Sequence, residues 1–160
     1  MGLLSDSGRK SRTGEVAYRT FAKGCVAFAL RTAGGQVGGL YFRSVGDAGK
    51  GKHFYLRDRR GLWPKWPATE TKRVLVCESV IDAASVVQDA AVRSAWSVLA
   101  LYGTNGWTAE HTKAIGEVAN LEEVCLMLDA DEAGRVATDA YPRLVRSKGR
   151  GTKRRIAAPS

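Results

Sequence analysis

The sequence predicts an α/β fold: a parallel sheet flanked by helices, preceded by a small, basic, β-rich subdomain. Three observations carry this. From residue 73 onward, short apolar runs alternate with stretches whose apolar residues recur at helical spacing, the pattern of a parallel sheet with helical crossovers. Two of those runs end abruptly in acids, Val74–Cys77 at Glu78 and Val124–Leu128 at Asp129 and Asp131. The charge is also partitioned. Residues 1–72 carry 14 Lys+Arg against 5 Asp+Glu, residues 73–140 carry 4 against 11, and residues 141–160 carry 7 against none.

Taken in order, residues 26–30 and 37–42 read as strands, joined by a glycine-rich hairpin turn at Thr32-Ala33-Gly34-Gly35. Residues 53–56 read as a third strand and 57–61 as a charged turn. Residues 61–67 form an extended connector, since Pro64 and Pro67 deny it a helix. The chain therefore divides into residues 1–72 and 73–160. In the second part, a strand at 74–77 leads to a helix at about 82–95, with Ala83, Val86, Val87 and Ala90 on its apolar stripe. A strand at 97–102 and a polar loop at 103–106 follow. Thr108 is placed to N-cap a helix at about 109–119. Next come a strand at 124–128, a helix at about 132–147 and a short fourth strand at 154–158.

Composition excludes several classes. A chain of 160 residues with 44% apolar content builds one domain with a core and a small appendage. No run approaches the ~18 apolar residues of a membrane span, and the first residues lack the apolar stretch of a secretory leader, so a cytoplasmic location is expected. Cys25, Cys77 and Cys125 form no CxxC pair and read as buried, reduced thiols. With His53 and His111 the only histidines, no structural zinc site is expected.

The acids carry the chemistry. Carboxylates at the carboxyl end of a parallel strand stand where open α/β sheets bind ligands. Side by side they repel, and a divalent cation relieves the repulsion; hard oxygen donors suit Mg²⁺ or Mn²⁺. Glu78, Asp129 and Asp131 are the candidate catalytic and metal-binding residues. Asp82, in the first turn of the following helix, serves either as a fourth ligand or as a capping group. Asp129 and Asp131 have an alternative role as a helix N-cap pair. Arg43, Lys52, Arg57, Arg59 and Arg60 are candidate phosphate contacts on the basic part. Arg135 either holds phosphate or pairs with Asp131, and Gly103, Thr104 and Asn105, with Gly106, form either a loop near the site or an ordinary turn. Tyr41, Phe42, Phe54, Tyr55, Trp63 and Trp66 either stack bases or fill the core.

Together these motifs resemble the Toprim domain: Glu78-x-x-x-Asp82 after one strand, Gly103-Thr104 after the next, and Asp129-x-Asp131-x-Ala133-Gly134-Arg135 after the third. Bacterial DnaG-type primases, type IA and type II topoisomerases and some nucleases share that domain. Residues 21–44 resemble the basic subdomain that precedes Toprim in DnaG-type primases, with Arg43 at the arginine closing its hairpin. Residues 53–64 resemble the segment joining the two. The resemblance covers roughly residues 20–158. It implies a DNA primase core that makes RNA primers on single-stranded DNA from ribonucleoside triphosphates by metal-dependent nucleotidyl transfer. Glu78, Asp129 and Asp131 would hold one or two Mg²⁺ (or Mn²⁺) ions, with Asp82 in support. A helicase or a separate zinc-binding module are the further partners it implies.

Two departures qualify the expectation. The family's first motif usually reads Glu-Gly and here reads Glu78-Ser79. The third acidic motif and the preceding zinc module of primases have no counterpart, so a trimmed core is expected, either a fragment or a minimal version. The rival readings are a Toprim nuclease and a catalytically incomplete nucleic-acid-binding module. A topoisomerase is disfavoured because no tyrosine announces itself as a nucleophile. A DxDxT phosphatase fails at Ala133, and an EF-hand loop fails at Ala140.

Overall fold

The computed structural model describes residues 3–46, 53–56, 58–103, 106–129, 132, 136 and 153–157. The chain forms two compact units, residues 1–29 with 39–59, and residues 30–38 with 60–160. The boundary expected at 72 falls later than this one. The reason lies in residues 60–67, which pair with elements of the second unit instead of running free as a connector.

The first unit is antiparallel. Strands β1 (Leu3–Lys10) and β2 (Val16–Phe21) form a two-stranded ribbon of their own. Strands β3 (Cys25–Arg31), β4 (Val37–Ser44) and β5 (His53–Tyr55) form a three-stranded sheet in that order. Ala22, Cys25 and Phe42 are buried at its core, with Leu3, Phe21, Leu40, Phe54 and Leu56 packed around them. Phe21 meets Phe42 and Phe54 edge-on, at 5.8 and 5.9 Å between ring centroids, the arrangement the ring quadrupoles favour. The ribbon at 3–21 has no counterpart among the elements expected from the sequence.

The second unit is the expected parallel sheet. Strands β6 (Arg73–Cys77), β7 (Ser97–Ala100), β8 (Glu123–Met127) and β9 (Lys153–Ala157) run parallel in the order β7-β6-β8-β9. Helices α1 (Val80–Val86) and α2 (Ala90–Ala95) connect β6 to β7, and α3 (Ala109–Gly116) connects β7 to β8. Where the sequence suggested one helix at 82–95, the structure has two. The first ends at Val86, and Asp89 caps the second, its carboxylate accepting from Ala91 N at 2.7 Å and Val92 N at 3.3 Å. Of the expected helix at 132–147, only Glu132 and Val136 are among the described residues, and both are helical.

One face of the sheet, with Val74, Val76, Leu99, Leu101, Val124, Leu126 and Leu128, packs on Ala114 and Ile115 of α3 and on Leu62. Leu62 reaches the core because residues 61–64 are stitched to this unit. Leu62 exchanges two backbone bonds of 2.8 Å with Arg31, and Trp63 O accepts from Ala100 N at 2.9 Å. Gly61 N–H donates to Glu110 Oε2 at 2.8 Å, and Trp66 Nε1 donates to Glu117 Oε2 at 3.2 Å. Gly61 sits at φ +98°, where a Cβ would come 2.7 Å from the Arg31 backbone, so only glycine fits. Among the described residues no helix is long and apolar enough to cross a membrane.

Candidate active site

The strand order creates a switch point. The chain leaves β6 for β7 on one side and β8 for β9 on the other, and the carboxyl ends of the adjacent strands β6 and β8 are where open α/β sheets bind ligands. The register pairs Cys77 with Met127, which places Glu78 and Asp129 just beyond the last paired residues. Three bonds converge on Glu78. Its N–H donates to Met127 O at 3.0 Å, its carbonyl accepts from Gly103 N at 3.1 Å, and its Oε2 accepts from Asp129 N at 2.6 Å. The last is a short, charge-assisted bond. The side chain of one acid is thus fixed to the backbone of the other. Glu78 is half-buried and Asp129 is exposed.

Asp82 is used locally. Its Oδ2 accepts from Ser79 N at 3.1 Å and from Ser79 Oγ at 2.6 Å, while Asp82 N donates to Ser79 Oγ at 3.2 Å. This is a reciprocal capping box that starts α1 at Val80. Of the two roles open to Asp82, the geometry displays the cap. Beneath the acids, Cys77 is fully buried, and its thiol is pushed up to about 12, first by burial, then by Asp82 and Cys125. It is a packing residue and not a nucleophile.

Gly103, three residues beyond β7, sits at φ +105° beside Glu78, and its carbonyl accepts from Gly106 N at 2.8 Å. Behind it, His111 is fully buried. Its Nδ1 accepts from Thr108 N at 3.1 Å, which leaves Nε2–H to donate to Ala100 O at 3.1 Å. Sequence reasoning gave this histidine no place, and its position three residues after the capping Thr108 was the available signal.

In the first unit, the pairing of Arg43 with His53 and Tyr41 with Tyr55 places these four on one face of the sheet. Arg43 Nη1 donates to His53 Nε2, and His53 Nδ1 lies 2.7 Å from the Tyr41 hydroxyl. The Arg59 guanidinium lies 4.0 Å from the centroid of the Tyr55 ring. Burial raises the Tyr55 phenol, with Arg59 and Arg43 acting against it. Arg60, in the second unit, is exposed and donates its N–H to Gly38 O at 3.1 Å. Among the aromatics, Tyr41 and Phe42 are buried and serve packing. Asp131, Arg135, Thr104, Asn105, Lys52 and Arg57 lie outside the described residues.

The donor set fits a hard cation in kind: two carboxylates from neighbouring strand ends, one of them positioned by a backbone N–H. Mg²⁺ is commonly held by one or two carboxylates with water and substrate phosphates supplying the rest. Among the described residues no group of three or more His, Cys, Asp and Glu side chains comes together.

This strand order, with acids at the carboxyl ends of β6 and β8, is that of a Toprim-like fold. Residues 75–159 match the family model Toprim_2, Toprim-like, and the chain belongs to that family. No curated protein matches it by sequence. Among solved structures, the E. coli primase catalytic core superposes with a TM-score of 0.67 at 21% identity, covering 95% of this chain and 49% of that one. A DnaG primase catalytic domain bound to single-stranded DNA gives 0.65 at 21% identity, with 95% and 49% covered. The primase fragment of the bacteriophage T7 primase-helicase protein gives 0.60 at 23% identity, with 82% and 51% covered. At these identities the likeness establishes the fold, and the chain spans about half the length of each of these structures.

Proposed function

We propose that the chain is a primase core that binds single-stranded DNA and joins ribonucleotides into a short RNA primer by divalent-cation-dependent nucleotidyl transfer. The observation that carries this is the bond from Asp129 N to Glu78 Oε2 at the switch point. It fixes the Glu78 carboxylate against the backbone of Asp129, at the strand ends where phosphates of a bound nucleotide would arrive. Glu78, Asp129 and Asp131 would hold the cation, with Asp82 supporting them through the cap of α1. A bound Mg²⁺ or Mn²⁺ would supply charge neutralisation at the transferring phosphorus. The protein's own part is to keep Glu78 rigid, through its backbone bonds to Met127 and Gly103, and to leave Asp129 open to solvent. Arg43 and Arg59, with Arg60, Lys52 and Arg57, would hold backbone and triphosphate oxygens, Arg43 being oriented by His53. Gly103, Thr104, Asn105 and Arg135 would border the nucleotide. The solved DnaG structure with single-stranded DNA supports the template assignment, and the T7 primase-helicase supports a helicase as partner.

A second reading is a nucleic-acid-binding module without catalysis. Primer synthesis from labelled ribonucleotides on single-stranded DNA, with Mg²⁺ or Mn²⁺, separates the two. The proposal expects product from the wild type and a loss of ~100-fold or more in Asp129→Asn, since metal-borne charge stabilisation is worth several kcal/mol. No product from either protein, with DNA still bound, supports the binding module. Template cleavage in place of synthesis makes the chain a nuclease.

A further inference from the structure

The ribbon formed by β1 and β2 plays no part in the site just described. One of its faces is half-buried: Leu3 and Phe21 pack on the core of the first unit, and Ser7 Oγ donates to Ala17 O at 2.6 Å. The other face is open, with Leu4 72% and Tyr18 63% exposed. Leu4 pairs with Thr20 and Asp6 with Tyr18, so the leucine and the ring are diagonal neighbours on that face. Beyond them the ribbon ends in Arg9, Lys10 and Arg12, all exposed. None of the ion pairs among the described residues involves these three cations.

The tip that carries them is ordered by its own bonds. Ser11 N donates to Glu15 O at 2.7 Å and Gly14 N to Ser11 O at 3.0 Å, with Gly14 at φ +85°. Ser11 Oγ accepts from Glu15 N at 3.1 Å. Before the tip, Gly8 at φ +70° donates its N–H to Asp6 Oδ1 at 2.7 Å, where the register shifts. One cation on a preformed turn and two on the strand leading into it complement a chain of phosphates. An exposed ring set two residues, ~7 Å, from the Lys10–Val16 pair gives a base a surface to stack on.

We infer that the β1–β2 ribbon is a second contact for single-stranded nucleic acid, with Arg9, Lys10 and Arg12 on backbone phosphates and Tyr18 stacking a base. This rests on the reading of the chain as one that handles single-stranded DNA. The contact is independent of sequence and sensitive to salt.

The test is binding of a fluorescein-labelled oligo-dT to the full chain, followed by anisotropy across a salt series. The triple variant R9A/K10A/R12A is expected to bind ~10-fold more weakly at low salt and to lose about 2 from the slope of log K against log salt, at ~0.7 per phosphate contact. Tyr18→Ala is expected to lose about 5-fold or more, and Tyr18→Phe to restore the affinity. The charge-matched control K65A/K72A/K113A, off the ribbon, is expected to change affinity less than about 2-fold. Every side chain altered in the ribbon and in the control is exposed, and a thermal melt matching wild type verifies the fold of each variant. Unchanged affinity and slope in the ribbon triple overturn the inference, as does an equal loss in the control triple. So does ribbon-dependent binding to phosphatidylserine vesicles in place of the oligonucleotide. If wild type makes no primer while the ribbon triple still weakens binding, the primase reading fails and the ribbon contact stands.

Discussion

The ends of β6 and β8 and the tip of the β1–β2 ribbon both present charge to solvent, but they are built differently. Glu78 is tied by its N–H, its carbonyl and its carboxylate to three different residues of two neighbouring strand segments. The fully buried Val76 and Cys77 lie directly before it. The ribbon tip is held by bonds among residues 11–15 and by the Lys10–Val16 pair beneath them. A central parallel strand fixes an acid against its neighbours, which metal-assisted chemistry requires. A two-stranded ribbon offers cations on a turn, which suffices for phosphate contacts that tolerate variation. On the two readings proposed above, the same chain would separate positioning chemistry from gripping a polyanion.

That difference can be probed first through stability. Leu99 is fully buried in the core under the strand ends, whereas Leu4 stands on the open face of the ribbon. Leu99→Ala is expected to cost about 3 kcal/mol, read as a drop in the urea midpoint. Leu4→Ala, the smallest effect expected, should stay within about 0.5 kcal/mol. Equal costs would remove the contrast.

A sharper probe uses pH. The Cys77 thiol, ordinarily near 9.0, is raised to about 12 in the fold by burial, Asp82 and Cys125. The folded state therefore keeps its proton where the unfolded chain loses it. This contribution is fully present below pH ~9 and is lost as pH rises from about 9 toward about 12, at up to ~1.4 kcal/mol per pH unit. Urea unfolding of wild type and Cys77→Ala across that window should show a shallower decline in the variant. Parallel declines would sink the assignment.

A smaller effect is expected at the start of α1. Ser79→Ala removes the hydroxyl that accepts from Asp82 N and donates to its carboxylate, at a cost of about 1 kcal/mol in unfolding experiments. No change in midpoint would mean that the capping box contributes nothing.

The parallel sheet was legible because its strands are continuous apolar runs with acids at their ends, and periodicity finds such runs. Glu78 and Asp129 followed from that. Other parts were hidden for physical reasons. In β1 the inward positions are Leu3, Ser5 and Ser7, two of them polar, and Gly8 breaks the alternation at a bulge, so no period of two was visible. The break between α1 and α2 was masked by apolar residues at helical spacing on both sides of Asp89. The position of Asp82 was readable in principle, because Ser79-Val80-Ile81-Asp82 is a capping-box sequence.

The central claim is that Glu78 and Asp129 form one cation site at the switch point. Mn²⁺ binding to the full chain, measured by electron paramagnetic resonance of the free ion, tests it most directly. The account predicts binding by wild type that weakens ~10-fold or more in both Glu78→Gln and Asp129→Asn, with the fold intact by circular dichroism. Wild-type affinity in both variants would contradict it.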